Sequence, residues 1–285
     1  MHNLHVAAGV SGGGNLVLGG KAMTFERVDL GEKVTLYRGD CLEVLPTLKD
    51  NSIDGIVTDP PFAFAGSASN GRASMTDSQF FAYWWKDVAR QINRVCKPEG
   101  EGFLWCDWRS AAIFESGFYQ TQTYTWRVAS MLYHYREMVG MGRPFRSSVD
   151  MIAYLRGPKS GGHRIPNTTE NWISKYWYYG KHEFHEAEKD PDIACQLIEW
   201  TSDKSDLILD PFMGSGTTGV PAVKLGRKFI GIELDAGYFE IAKRRISEAL
   251  AQPPLFRLTP LQADAARHEQ AELFESPAAQ LKHDG

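Results

Sequence analysis

Two rhythms of apolar residues alternate along the chain. Short apolar runs of strand length fall at residues 34–38, 52–58, 102–106, 124–131, 148–155, 207–209 and 229–232. Between several of them the spacing changes to that of a helix. Phe81, Trp84, Trp85, Val88, Ile92 and Val95 line one face over residues 80–95, and Phe239, Ala242, Ile246 and Ala249 do the same over 238–250. Shorter helices are expected at 41–49, 110–116, 193–201 and 217–225. Lys97-Pro98-Glu99-Gly100 reads as a turn that closes the aromatic helix. Strands alternating with helices predict an α/β fold: a doubly wound, mostly parallel sheet with helices on both faces. The aromatics of residues 80–95 are then core.

Residues 1–22 are rich in glycine and show neither rhythm, so they read as a flexible tail. Beyond Gln252-Pro253-Pro254 the chain turns polar and alanine-rich, giving a second flexible tail over 251–285. One domain, 23–250, remains. Its least regular part, 156–185, reads as a small insert.

The stretch 210–219, DPFMGSGTTG, lies between the apolar run 207–209 and a short helix, and a second apolar run then ends at Glu233. Gly214-x-Gly216-x-x-Gly219 matches the dinucleotide fingerprint, and Glu233 falls where a carboxylate can take both ribose hydroxyls. Gly214 and Gly216 let the backbone turn sharply and pass close to a ligand. Asp210 changes the ligand that fits. A carboxylate at the strand's end repels a pyrophosphate and holds an ammonium. S-adenosylmethionine (SAM) carries an ammonium, a sulfonium and a ribose but no phosphate, and is favoured over NAD. An NAD-linked oxidoreductase is the rival reading of the same glycines.

The run 52–58 ends in Asp59-Pro60-Pro61-Phe62. Neither proline has an N–H to continue a ladder, so they fix a stiff turn at the carboxyl end of a strand, where open α/β sheets place ligands. Asp59 and the Pro60 carbonyl are fixed acceptors, and Phe62 offers a flat face. That set suits a planar ring bearing an exocyclic amine.

With DPPF preceding DPFMGSGTTG, the chain resembles the amino-directed DNA methyltransferases, which make N6-methyladenine or N4-methylcytosine. The motif order resembles the permuted arrangement called the beta class. Gly39-Asp40-Cys41-Leu42 and residues 225–233, LGRKFIGIE, extend the likeness, which covers about residues 34–248. The resemblance implies the SAM-dependent methyltransferase fold, with Asp59, Pro60, Pro61 and Phe62 as the catalytic turn. Asp210, Pro211, Phe212, Gly214, Ser215, Gly216, Thr217 and Glu233 would surround the cofactor. Asp40 would lie near its adenine, a role compatible with capping the next helix. Residues 185–191, HEAEKDP, fall where the family has a motif similar to H-P-T-Q-K-P bordering the SAM methionine. His185 and Lys189 match it; Glu186, Ala187 and Asp190 depart. Part of the target-base pocket is implied at 140–146 and target recognition at 156–185. In the family, Asp-Pro-Pro with an aromatic is more usual for adenine, so N6-adenine is favoured over N4-cytosine. The substrate would be a base flipped out of double-stranded DNA. A DNA-binding module without catalysis ranks last, because every expected catalytic residue is present.

Candidate DNA contacts are Arg72, in the Gly/Ser/Ala/Asn loop 63–76, and Lys159, Arg164 and Lys175, which lie among aromatics in the insert. The net charge of −4 shows no basic footprint and weighs mildly against nucleic acid, unless cations gather in a cleft. Cys41, Cys96, Cys106 and Cys195 form no C-x-x-C pair, which argues against a structural zinc or a disulfide framework and for a reducing compartment. His182, Glu183, His185 and Glu186 match no zinc spacing, and no metal is assigned. No apolar run has the length of a membrane span and the amino end lacks a signal pattern, so a cytoplasmic protein is expected. Residues 270–274, QAELF, loosely resemble a sliding-clamp peptide. A homodimer is common in the family, and a paired restriction enzyme is a further candidate partner; the sequence shows neither.

Overall fold

The strands are β1 (Val17–Leu18), β2 (Lys21–Ala22), β3 (Glu26–Leu30), β4 (Val34–Arg38), β5 (Ile53–Thr58), β6 (Cys96–Cys106), β7 (Arg127–Tyr135), β8 (Val149–Arg156), β9 (Trp172–Ser174), β10 (Leu207–Asp210) and β11 (Lys228–Glu233). The helices are α1 (Cys41–Val44), extended by a 3-10 turn at Leu45–Thr47, then α2 (Ser78–Val95), α3 (Trp108–Tyr119), α4 (Pro191–Thr201), α5 (Gly219–Lys224) and α6 (Ala236–Leu250). The structure, a computed structural model, describes residues 17–18, 21–22, 25–61, 78–119, 125–135, 149–162, 165, 172–174 and 189–252.

Among the described residues nine strands make one sheet in the order β3-β4-β11-β10-β5-β6-β8-β7-β9. From β4 to β6 the pairings are all parallel. β3 pairs antiparallel to β4, and β8 antiparallel to both β6 and β7, so β7 points the same way as β6. β5 pairs with β10 at Gly55↔Ile208 and Ile56↔Leu209, which brings two distant motifs side by side.

The central strands are apolar along their length because helices cover both faces. One face carries α1, α2 and α3, with Phe81, Trp85, Val88, Phe114 and Phe118 fully buried. The other carries α4, α5 and α6, with Leu197, Ile198, Phe239 and Ile246 buried. The Trp85 ring lies 4.3 Å from that of Phe114, and its indole N–H donates to the Phe114 carbonyl at 3.1 Å. Among the expected core residues of α2, Trp84 alone stays partly exposed; it packs 5.6 Å from Phe212.

Four features of the structure are not in the sequence reading. β3 was not expected: its side chains alternate between half-buried and exposed, and its charges pair locally, Arg38 with Glu26 at 2.9 Å and Arg27 with Asp29 at 3.0 Å. Lys97-Pro98-Glu99-Gly100 is no turn between helix and strand but lies inside β6. The register runs from Ile53↔Cys96 to Gly55↔Glu101, so these residues are taken up as a bulge. Within the expected flexible tail 1–22, β1 and β2 form a short antiparallel ribbon. In the expected insert, β9 adds to the main sheet by pairing with β7.

Candidate active site

The site residues share one edge because each ends, or follows, a parallel strand. Asp40 follows β4, Asp59 follows β5, Asp210 ends β10 and Glu233 ends β11. Asp40 caps α1, accepting from the Leu42 amide at 2.8 Å.

Asp210 is the most buried of these acids, with 2% of its surface exposed. The hydroxyl of Thr58, the last residue of β5, donates to its Oδ1 at 2.5 Å, and the Phe212 amide donates to the same oxygen at 3.0 Å. Burial pushes its pKa up to about 7; hydrogen bonds from Thr58, Phe212 and Thr218 pull against that rise, while the charge of Asp59 adds to it. The sequence suggested an open acceptor for an ammonium. The structure makes Asp210 a strut that holds the Pro211-Phe212 turn and joins β10 to β5.

Glu233 also works on the backbone. Its Oε2 accepts from the Gly214 amide at 2.9 Å and its Oε1 from the Asp235 amide at 2.7 Å. A carboxylate offers about four acceptor positions, so holding two amides is compatible with binding a diol. Gly214 has φ +52°, and a Cβ added there would meet nothing within 4 Å: the turn leaves a cradle. Gly216 has φ +90° and packs on α6, where a Cβ would lie 3.2 Å from the Ala242 Cα. Arg245 donates to the Ser215 carbonyl at 2.9 Å and to its hydroxyl at 3.0 Å, so Ser215 is tied to α6. Pro211 is buried, and Phe212 and Thr217 are partly exposed.

Asp59 keeps 33% of its side chain exposed, with Lys189 Nζ 3.5 Å from its Oδ2. The sequence placed Lys189 against the cofactor; the structure sets it beside Asp59. Pro60 is buried and Pro61 exposed. Cys106, ending β6, adjoins the pair: burial pushes its thiol up to about 12, with smaller opposing effects from Asp59 and Lys189.

Lys159 lies elsewhere. Its amide donates to the Pro98 carbonyl at 2.9 Å, and it follows the Arg156↔Glu101 pairing at the amino end of the parallel stretch of β6. That is the opposite edge of the sheet from Asp59, so the structure does not bring Lys159 together with the acids. Phe62, Arg72, Arg164, Lys175, residues 140–146, 182–186 and 270–274 lie outside the described residues. Sequence reasoning missed Thr58, whose only signal was a hydroxyl ending an apolar run. It also missed Arg245, which looks like one more surface cation of α6.

A family model described as DNA methylase, of the N6/N4 type, matches residues 53–244, from β5 through most of α6. The chain belongs to this family. It is an amino-directed DNA methyltransferase, and DNA is its substrate. Among relatives of this methylase, the Type II methyltransferase M2.MboI of Moraxella bovis is 28% identical over 250 residues, covering 75% of this chain and 87% of that protein. The DNA adenine methyltransferase YhdJ of Escherichia coli K12 is 25% identical over 248 residues, covering 76% and 84%. The M1.HpyAVI–SAM complex superposes with a TM-score of 0.57 at 22% identity, covering 75% of the methylase and 98% of that chain. The PvuII cytosine-N4-specific methyltransferase does so with a TM-score of 0.61 at 16% identity, covering 86% and 94%. These two likenesses establish the fold. Among the methylase's described residues, no helix is long and apolar enough to cross a membrane.

Proposed function

We infer that this methylase modifies the N6 amine of an adenine flipped out of double-stranded DNA, with SAM as cofactor. The observation that carries the reading is the placement of Asp59 and Pro60 at the end of β5, beside the Gly214 cradle and Glu233 on the next strands of the same edge. The cradle and the carboxylate fit a ribose-bearing cofactor. Gly214, Glu233, Phe212 and Asp40 would hold it. When bound, it supplies an electrophilic methyl group.

The chain's own task is to make a poor nucleophile competent. An exocyclic amine delocalises its lone pair into the ring. The Asp59 carboxylate and the Pro60 carbonyl accept its two hydrogens and draw the nitrogen toward tetrahedral geometry. Positioning and stabilisation of the charge that develops on nitrogen then provide the catalysis. Asp59, or water next to it, accepts the surplus proton. Lys189 Nζ lies 3.5 Å from the Asp59 carboxylate and helps to fix its position.

Adenine is favoured by the Asp-Pro-Pro turn and by the activity named for YhdJ. Incubation with methyl-labelled SAM and mixed-sequence duplex, followed by mass spectrometry of the nucleosides, tests it. N6-methyladenine is expected. N4-methylcytosine would overturn the base and keep the chemistry; no label in DNA would overturn the reading. Asp59→Ala should lose at least about a hundredfold in turnover while still binding SAM. Intact turnover by that variant would sink the mechanism.

A further inference from the structure

The large hydrophobic side chains left in water are not scattered. Among the described residues they are Phe80 (71% exposed), Tyr83 (72%), Trp108 (74%), Tyr119 (61%), Tyr135 (39%) and Leu234 (71%). Leu234 follows β11, Tyr135 ends β7 and Trp108 follows β6 by two residues, all at the edge that carries Asp59. α2 connects the parallel strands β5 and β6 and so runs back against them, which puts Phe80 and Tyr83, in its first turns, at the same edge. Only Tyr119, the last residue of α3, lies at the far end. Single exposed aromatics need no explanation, but a row on one edge marks a contact surface.

Trp108 is the most exposed of them, and it is held. Asp107 caps α3: its Oδ1 accepts from the backbone amides of Arg109 at 3.1 Å and Ser110 at 2.7 Å, and its Oδ2 accepts from Arg109 Nε at 2.9 Å. Ser110 is fully buried, which anchors the turn. The Arg109 guanidinium sits 5.6 Å from the centre of the Trp108 ring. Thr58 is level with Leu104 in the sheet, so strand geometry puts Trp108 on the order of 10 Å from Asp59. An indole backed by a cation, beside the place where a base must leave its stack, has the composition of a base-stacking platform.

We propose that Trp108, with Arg109 against its ring, is a stacking platform for an unstacked base of the DNA held at the catalytic edge. The proposal rests on the methyltransferase reading above and adds a residue that touches DNA outside the catalytic turn. Phe80 and Tyr83 continue the same surface.

The test uses the full chain and two fluorescein-labelled duplexes, one fully paired and one with a bulged adenine. Trp108→Ala should bind the bulged duplex roughly 5- to 100-fold more weakly, while Trp108→Phe stays within a few-fold of wild type. The KM for DNA should rise in Trp108→Ala with the affinity for SAM unchanged. The slope of log affinity against log salt should also stay unchanged, because no phosphate contact is lost. Trp108→Ala binding and methylating like wild type would overturn the platform, as would equal loss in Trp108→Phe and Trp108→Ala. A change of oligomeric state in Trp108→Ala with DNA binding intact would assign the edge to a second copy instead. Absence of methylation by the wild type would count against the functional reading itself, whereas an active wild type matched by Trp108→Ala would remove only the platform.

Discussion

Thr58 spends its hydroxyl on Asp210, and that single bond decides how the two motif strands stand together. Thr58→Val keeps the shape and removes the donor. A buried carboxylate that loses a partner costs about 1–3 kcal/mol, so the variant should melt lower and bind SAM more weakly, while Thr58→Ser should restore both. Calorimetric titration and thermal melts check this. The carboxyl group also ties stability to pH. Its pKa is about 7 when folded against 3.8 for an ordinary aspartate, so between those values the folded state binds more protons than the unfolded one. This group's contribution therefore favours the fold at low pH and weakens it as pH rises toward 7. In Asp210→Asn the Tm relative to wild type should climb from pH 4 to pH 7 and level off above. A difference that stayed flat across that window would refute the assignment.

At the scale of elements, the turn between β10 and α5 divides its work between two glycines. Gly216 has a positive φ and packs against α6, so Gly216→Ala should cost roughly 1–3 kcal/mol of stability. Gly214 has a positive φ but faces open space, so Gly214→Ala should fold with a smaller loss and fail mainly in SAM binding. Equal melting losses with unchanged SAM affinity in both would show that the cradle holds nothing. The parallel strands were legible in the sequence because burial on both faces leaves unbroken apolar runs. β3 was not, since a charged edge strand shows no such run, and the stretch 97–100 misled because a proline and a glycine inside a bulge look like a turn. In the site, Asp59, Asp210 and Glu233 were legible as acids that end strands. The burial of Asp210 and the approach of Lys189 to Asp59 were not, because both depend on which strands become neighbours. The exposed aromatics of α2 and α3 carried no signal of their own: Phe80 and Tyr83 sit one position from core residues in the same helix.

At the scale of the molecule, all four cysteines are buried, Cys41, Cys96 and Cys106 on one face of the sheet or beneath it and Cys195 on the other. A thiol reagent should label none of them in the native protein and all four after denaturation. If the two layers open together, labelling follows one phase. Early reaction of Cys195 alone would show that the layers come apart separately.

The strand order also bears on how the chain is made. Thr58 and Asp210 are 152 residues apart in sequence yet share a hydrogen bond in the middle of the sheet. At about 5–20 residues per second on the ribosome, β5 waits roughly 8–30 s for the strand that completes it. Throughout that wait one side of β5 is an unpaired apolar edge, the kind that invites wrong partners. A half-made chain therefore has Asp59 but no strut behind it and no cradle beside it. Activity arrives only once β10, α5 and β11 are made, and a nascent chain stays chemically silent until its centre has closed.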